Sequence, residues 1–276
     1  MVFKLIAITL CMSMSVVSAS PQKIITYNIR YDASGDKGPK DWQQRSLKII
    51  NFLTKQKASV VAMQEVLDGQ LRDLEEGLPQ YSYVGVGRDD GLRKGEYSPV
   101  FYDKLIWKVD QKQHGTFWLS DTPQKEGSKS WGNQTTRICT WVRLLDKKGK
   151  GLYIYNTHWD HKSKQAREES ALLILKKIKE RKNKNEPYVL LGDLNATTES
   201  EAVKSLISDG KLIDLGIEQK KTFNHWKGGL VEGLRIDHIF VSQALHSTGV
   251  KVISNGIFPG SDHHPVITTV DLLPAE

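Results

Sequence analysis

Short apolar segments rich in β-branched residues recur along the chain and alternate with helical patterns, and this alternation constrains the fold more than any other feature. Residues 42–55 and 165–182 place apolar side chains three and four positions apart, as amphipathic helices do. The pattern predicts one α/β domain over residues 20–276, with more strand than a doubly wound sheet needs. The predicted strands are residues 23–27, 59–64, 100–102, 137–145, 152–157, 188–191, 235–241 and 266–270.

The first nineteen residues differ from the rest of the chain. Lys4 precedes an apolar run from Leu5 to Val17, and small residues end the segment at Ala19. This order is typical of a secretory signal peptide, and the run is shorter than the roughly 20 residues of a spanning helix. We therefore expect cleavage after Ala19, a mature chain over residues 20–276 without a transmembrane segment, and a secreted or periplasmic location.

Charge and cysteine content bear on the partners of the chain. The formal net charge of +7 favours an anionic partner, such as a phosphate ester, a nucleic acid or an acidic membrane surface, although many basic secreted proteins bind none of these. Cys11 lies within the predicted signal peptide, so the mature chain would keep only Cys139. This excludes an intrachain disulfide, and we expect a monomer.

Polar residues end or follow most of the predicted strands. Buried strands rarely tolerate unpaired charge, so this repetition favours the assembly of the polar residues into one site. Taken singly, each residue could instead cap a turn or pair with a nearby cation. As a set they offer oxygen and imidazole ligands without cysteine, which suits Mg²⁺ or Mn²⁺ better than structural zinc. The set comprises Asn28, Glu65, His158, Asp160, His161, Asp193, Asn195, Asp237, Asp262 and His263.

Six short blocks of this set resemble, in order, the motifs of the endonuclease/exonuclease/phosphatase superfamily, which has a deoxyribonuclease-like fold. The run His158-Trp159-Asp160-His161 is similar to the secreted bacterial and nocturnin-like branch. The resemblance implies a four-layer α/β sandwich, in which two mixed β-sheets pack face to face between outer helices. The six blocks are Tyr27-Asn28, Gln64-Glu65, Asn156-Thr157-His158, Gly192-Asp193-Leu194-Asn195, Arg235-Ile236-Asp237 and Ser261-Asp262-His263.

The resemblance also implies that a metal-assisted water hydrolyses a phosphodiester or phosphomonoester, with Mg²⁺ as the cofactor or Mn²⁺ in its place. Glu65 would be the principal metal ligand, with Asn28 nearby. Asp237 or Asp262 would contribute further ligand oxygens.

Catalytic roles follow from the same resemblance. Asp193 would orient or deprotonate the attacking water, and Asn195 would hold the water or a phosphoryl oxygen. His263 would face the phosphate, with Asp262 as its partner, and His158 would contact the phosphate or the leaving group.

Two arginines are candidates for binding the substrate phosphate, because a guanidinium matches phosphate geometry. Arg88 lies in a glycine-rich loop, and Arg137 lies at the head of a predicted strand. Either residue could instead be an ordinary surface side chain. The run around Asp160 and His161 could bind metal, but we prefer to interpret it as a strand-end loop that Asp160 organises.

Two other functions stay open. A secreted nuclease that degrades DNA or RNA would need a basic groove lined by aromatic rings, and Trp42, Trp131, Trp159 and Trp226 could supply them, although such residues more often pack in a core. A non-catalytic binding protein with this fold would be expected to have lost site residues, whereas here the whole set is present.

Overall fold

The computed structural model describes residues 21–208, 210–216, 221–226, 234–254 and 260–272. The predicted signal peptide and its cleavage site lie outside the described residues, so both stay predictions. Within the described ranges, no helix is long and apolar enough to cross a membrane.

Four α-helices, one 3-10 helix (Gly38–Lys40) and twelve strands form within these ranges. The helices are α1 (Trp42–Gln56), α2 (Asp68–Gly77), α3 (Lys164–Glu180) and α4 (Glu201–Ser208). The strands are β1 (Gln22–Asn28), β2 (Val60–Gln64), β3 (Tyr81–Val84), β4 (Val100–Asp103), β5 (Lys108–Trp118), β6 (Ile138–Leu145), β7 (Gly151–His158), β8 (Tyr188–Asp193), β9 (Leu212–Asp214), β10 (Asp237–Ser242), β11 (Leu245–Val252) and β12 (Val266–Leu272).

The strands make two mixed sheets of six strands each, in the orders β11-β12-β1-β2-β4-β3 and β5-β6-β7-β8-β10-β9. Each sheet has one parallel pair at its centre, β1 with β2 and β7 with β8. The neighbours β12 and β10 run antiparallel to these pairs. The carboxyl ends of the parallel strands therefore lie at the same rim as the amino ends of β10 and β12.

The two sheets pack face to face through alternate residues of their strands. Ile24 and Val60 from the first sheet share a buried cluster with Ile154 and Leu191 from the second. Burial of one such aliphatic side chain stabilises the fold by about 1.5–3 kcal/mol, so this cluster holds the sheets together.

The helices cover the outer faces of the two sheets. Ile49 of α1 and Leu71 of α2 pack against the first sheet. Ile174 of α3 and Val203 of α4 pack against the second. The order helix, sheet, sheet, helix confirms the predicted four-layer α/β sandwich.

One buried polar contact also joins the two sheets. Gln64 Nε2 donates to Asn156 Oδ1 at 2.7 Å and to Thr26 Oγ1 at 3.1 Å. Asn156 Nδ2 donates to the carbonyl oxygens of Met63 at 2.8 Å and Pro99 at 2.9 Å. An unpaired buried amide would cost about 1–3 kcal/mol, so these bonds favour one register of the two sheets. Gln64 and Asn156 therefore serve the architecture rather than the chemistry.

All eight predicted strands and both predicted helices are present, and the four strands that the sequence missed are the four sheet edges. Edge strands β5 and β11 are rich in polar residues and only a minority of their residues are buried, so their sequences carry no long apolar run. Edge strands β3 and β9 span only four and three residues. The short helices α2 and α4 also went unpredicted.

Candidate active site

Polar side chains from both sheets meet at the common rim, where they border a cavity of about 440 Å³. Asn28 is the last residue of β1, His158 the last of β7 and Asp193 the last of β8. Asp237 is the first residue of β10 and lies opposite Asp193 in the register. Each group thus projects from the end of a hydrogen-bonded strand, which holds it in place.

The backbone leaves the strands in unusual conformations at three positions of the rim. Glu65 and Asn195 have φ angles of 61° and 46°, a left-handed region that few non-glycine residues adopt. At Gly192, φ is 141° and a Cβ would lie 1.9 Å from the carbonyl oxygen of Thr157. Only glycine lets β8 approach β7 this closely, and the approach sets the position of Asp193.

A single amide joins carboxylates from the two sheets. Asn28 Nδ2 donates to Glu65 Oε1 at 2.9 Å and to Asp193 Oδ2 at 3.0 Å, while its oxygen accepts from the Arg30 amide. The Tyr31 amide donates to the other oxygen of Glu65 at 3.2 Å. The amide nitrogen of Asn28, not its oxygen, faces the carboxylates here, so a metal-ligand role for Asn28 stays a prediction.

Asp193 lies at the centre of the site, fully enclosed by its neighbours. Its Oδ2 atom is 3.5 Å from His158 Nε2 and 3.7 Å from His263 Nε2, and its Oδ1 accepts from the Asn195 amide at 2.9 Å. Burial and the charge of Asp237 raise the pKa of Asp193 to about 7, against the opposing effect of His263.

His263 is bound to a carboxylate other than the one that the sequence suggested. Its Nδ1 lies 2.8 Å from Asp237 Oδ2, whereas Asp262 Oδ1 accepts a bond of 3.3 Å from Ser261 Oγ. Burial lowers the pKa of His263, but the charges of Asp237 and Asp193 outweigh it and raise the pKa to about 10. The imidazole is therefore cationic at neutral pH, and its hydrogen-bond partner is Asp237.

A second contact network holds Asp237 itself. The backbone amides of Ile236 and Asp237 both donate to Thr222 Oγ1 at 3.0 Å. Arg235 donates to both oxygens of Asp214 on β9, at 2.8 and 2.5 Å. The segment that precedes β10 is thus tied to its neighbours before it delivers Asp237 to the site.

The charges that act most strongly on His158 are positive, whereas those that act on His263 are negative. Burial, followed by the charges of Arg137 and Arg88, lowers the pKa of His158 well below its ordinary value. Asn195 Nδ2 lies 3.1 Å from His158 Nε2, and Glu96 Oε2 lies 3.9 Å from Nδ1. In a neutral ring with its proton on Nδ1, Nε2 accepts from Asn195, whereas Nδ1 has no hydrogen-bond partner among the described residues.

The two predicted phosphate-binding arginines both border the cavity. Arg137 is buried, with Nη2 3.1 Å from His161 Nδ1 and Nε 3.7 Å from Asp160 Oδ2. Within the described part of the chain, Arg137 Nε and Nη1 have no hydrogen-bond acceptor. Arg88, by contrast, donates through Nη1 and Nη2 to Glu96 at 2.6 and 2.7 Å. Arg137 is therefore the better placed of the two to receive an anion.

Glu96 borders the cavity although the sequence did not assign it a site role, and His161, from the run that could bind metal, borders it too. Burial raises the pKa of Glu96, and Arg88 opposes this effect. Glu96 comes from a loop, so no strand end marks it in the sequence. Asp160 Oδ1 accepts from the amides of Lys162 and Ser163 at 2.9 and 2.8 Å, as expected for a residue that organises a strand-end loop.

The donor set fits a hard divalent cation. Ligand atoms of Glu65, His158 and Asp193 lie within 4.8 Å of one another, as do those of Asp193, Asp237 and His263. Burial raises the pKa of Asp262, and the nearby Glu65 carboxylate raises it further. A divalent cation would relieve this repulsion, and oxygen ligands suit Mg²⁺ and Mn²⁺. Because His263 already neutralises the second group, the Glu65 side of the cavity is the better candidate.

Two of the four tryptophans considered for base stacking are core residues. Trp159 is 0% exposed and Trp42 is 4% exposed, so neither ring can stack on a nucleobase. Phe223 borders the cavity instead, with its ring centroid 4.9 Å from that of His263.

Comparisons with known proteins agree with this fold. A crystal structure of an endonuclease/exonuclease/phosphatase family protein from Bacteroides thetaiotaomicron is 33% identical, with a TM-score of 0.87, and the match covers 93% of this chain and 100% of that chain. A mannosyl-6-phosphatase from the same species is 34% identical, with a TM-score of 0.84 and coverage of 90% and 99%. The catalytic domain of human nocturnin is 16% identical, with a TM-score of 0.73 and coverage of 92% and 94%.

The nocturnin likeness bears on the fold alone. Among curated proteins, no significant match is found. The family model described as "Endonuclease/Exonuclease/phosphatase family" matches residues 25–263, a segment that contains every predicted site residue. The chain therefore belongs to the endonuclease/exonuclease/phosphatase family of metal-dependent hydrolases.

Proposed function

We propose that the protein hydrolyses a phosphate monoester of a small molecule with the help of a divalent metal ion, Mg²⁺ by preference and Mn²⁺ in its place. The observation that carries this proposal is Arg137, a buried cation with two unpartnered donors among the described residues at a cavity of about 440 Å³. Arg137 Nη2 contacts His161, and Nε lies 3.7 Å from Asp160. The two remaining buried donors are nevertheless costly unless a ligand supplies an acceptor. A phosphate oxygen is such an acceptor.

The charge balance of the cavity favours a monoester over a diester. A monoester phosphate carries a charge of about −1.5 to −2 at neutral pH, whereas a diester carries one negative charge. Four cations border the cavity, Arg30, Arg88, Arg137 and His263, and they face four carboxylates, Glu65, Glu96, Asp193 and Asp262. A bound divalent ion would add two positive charges, which a monoester phosphate balances better than a diester does. The identity of 34% to a mannosyl-6-phosphatase supports a sugar phosphate as the substrate class.

The residues divide the chemistry between them. Glu65 and Asp262 would hold the metal, which supplies charge neutralisation at the phosphate and stabilises the leaving oxygen. Asp193 would orient the attacking water and take its proton, and Asn28 and Asn195 hold its two oxygens.

The cationic His263 would stabilise negative charge that develops on the phosphoryl oxygens, since a charged donor is strongest where water is excluded. His158, neutral and bonded to Asn195, would contact the phosphate or the leaving group. We propose that the mature protein works in the secreted or periplasmic fraction.

A secreted nuclease is the second candidate. The ring of Phe223 at the cavity and the net charge of +7 would favour it, because stacking and backbone charge carry most nucleic-acid binding. The burial of Trp42 and Trp159 removes two of the expected stacking rings.

The test is Mg²⁺-dependent turnover of residues 20–276 on mannose 6-phosphate, other sugar and inositol phosphates, single- and double-stranded DNA, RNA, sphingomyelin and chromogenic mono- and diesters. We expect turnover of a monoester that falls by about a thousandfold or more in Asp193→Ala and in His263→Ala. Lys108→Ala, on the exposed edge strand β5, is the matched control. Wild-type activity in both site variants, or the absence of turnover across the whole panel, would contradict the proposal.

Arg137 separates the two candidate substrate classes. Arg137→Ala should reduce kcat/KM for the monoester by about a hundredfold and for a chromogenic diester by about tenfold. The monoester phosphate carries more negative charge, so it loses more attraction when the guanidinium is removed. Equal losses on both substrates, or faster cleavage of nucleic acid than of any monoester, would favour the nuclease.

A further inference from the structure

A second cavity, of about 520 Å³, lies outside the active site on the outer face of the second sheet. Its walls come from β5, β6 and β7, from the loop after β5, and from the C-terminal end of α3 with the residues that follow it. Among the described residues, it shares no lining side chain with the catalytic cavity. The volume is that of a site for a small molecule.

The floor of this cavity is aromatic. Trp141 and Tyr155 lie opposite each other on β6 and β7, with ring planes 19° apart and centroids 6.4 Å apart. Tyr155 is 2% exposed, which fixes its ring, while Trp141 is partly exposed. The Trp118 indole N–H already donates to the Arg88 carbonyl at 2.6 Å, so this residue has only its ring to offer a ligand. The sheet therefore holds an aromatic floor in place, and Trp141 is the ring of this floor that is most accessible to a ligand.

The rim of the cavity is polar and carries both signs of charge. Lys177 Nζ lies 3.4 Å from Glu180 Oε2, and Lys182, Glu126 and Gln124 also line the rim. Such a rim offers hydrogen-bond donors and acceptors together without a strong field of one sign. A purely apolar ligand would leave these groups unsatisfied. An anionic ligand would gain little attraction, because the three cations of the rim, Lys177, Arg181 and Lys182, are nearly balanced by Glu126 and Glu180.

We propose that this cavity binds a neutral saccharide at a site separate from catalysis. The C–H face of a pyranose ring packs on the aromatic floor, while its hydroxyl groups both donate to and accept from the charged and amide side chains of the rim. The proposal does not depend on which ester the catalytic cavity hydrolyses. It assigns the protein a second binding surface for carbohydrate.

The test is ligand-observed NMR of residues 20–276 with mannose, glucose, galactose and short linear oligosaccharides, followed by calorimetric titration of those that bind. Adenosine monophosphate serves as an anionic aromatic probe. The probes are added up to roughly 50 mM, which would saturate a site with a Kd near 1 mM. The variants are Trp141→Ala, Trp141→Phe, the exposed Gln124→Ala, and Asp193→Ala as the control in the catalytic cavity.

We expect a saccharide to bind to the wild type and to Asp193→Ala alike, and about tenfold more weakly to Trp141→Ala, a loss of ~1.4 kcal/mol. Trp141→Phe should restore part of the affinity, Gln124→Ala should weaken it without changing the melting temperature, and all three should hydrolyse ester normally. No saccharide binding across the panel, binding that Asp193→Ala abolishes, or binding of adenosine monophosphate alone would overturn the proposal.

Discussion

The two imidazoles beside Asp193, His158 and His263, are equally buried yet differ in charge. His263 lies 2.8 Å from the Asp237 carboxylate, and Asp237 with Asp193 raises its pKa to about 10 despite burial. His158 is buried beside Arg137 and Arg88, and its pKa is lowered. The same side chain is therefore a fixed cation on one side of the cavity and a neutral hydrogen-bonding group on the other.

The neighbouring charges, rather than burial, therefore decide the role of each ring. Burial disfavours the charged form of both histidines, so only a neighbouring charge can separate them. Asp237 supplies that charge to His263, whereas Glu96 lies 3.9 Å from His158 and is itself neutralised by Arg88. A site with one cationic and one neutral imidazole can stabilise negative charge and bind the leaving group separately.

Removal of the two imidazole rings should have the largest and most unequal effects on kcat. We expect His263→Ala to reduce kcat by about a thousandfold, since it removes a buried cation aimed at the phosphate. His158→Ala should reduce kcat by about tenfold, the effect of one neutral hydrogen bond. Steady-state kinetics on the best monoester measures both, with circular dichroism as the folding control. Equal losses would mean that the two rings do not divide the chemistry as we propose.

Asp237→Asn keeps the shape of the His263 partner and removes its charge. We expect kcat to fall by about a hundredfold, and the pKa of His263 to fall toward its ordinary value of 6.5, because the carboxylate raises it most. Nitrogen chemical shifts of the ring follow the pKa in the metal-free protein. Asp110→Asn, which removes a carboxylate partner of Arg143 outside the active site, is the matched control. An unchanged pKa in Asp237→Asn would refute the pairing.

Glu96→Gln should have a smaller effect, concentrated on substrate binding. Glu96 holds Arg88 through two bonds, so the variant should release this guanidinium and raise KM by about fivefold to tenfold, with little change in kcat. Turnover on the monoester measures the two constants. A fall in kcat larger than the rise in KM would instead mean that Glu96 acts by supporting His158.

The charges of Asp193 and His263 also predict the pH dependence of the wild type. Asp193 acts as a base only above its pKa, about 7 without metal and lower when a cation lies beside it, so kcat/KM rises with pH there. His263 acts as a cation only below about 10, so kcat/KM falls as pH rises through that value. Between pH 5 and pH 11, kcat/KM should follow a bell-shaped curve and fall by about tenfold on each side of its maximum. An acidic limb that remains in Asp193→Ala would assign it to another group.

Much of the fold was predictable because its signals are local. Central strands carry continuous apolar runs, and α1 and α3 carry helical periodicity, so each could be recognised from its own residues. The edge strands β3, β5, β9 and β11 could not, since each has only one hydrogen-bonded neighbour and little buried surface. Their pairing partners, which lie elsewhere in the chain, determine that they are strands.

The candidate site residues could also be predicted from local signals, because they end or follow strands. Their hydrogen-bond partners could not. The alternation of apolar segments and helical patterns in the sequence was enough to determine the α/β class. The polar strand ends, together with the family resemblance, indicated a set of candidate site residues: Asn28, Glu65, His158, Asp193 and Asp237. Only the tertiary structure decided that His263 pairs with a carboxylate 26 residues away instead of the adjacent Asp262. Polarity at a strand end is a property of one segment, whereas a pKa depends on which distant charges the folded chain brings within a few ångströms.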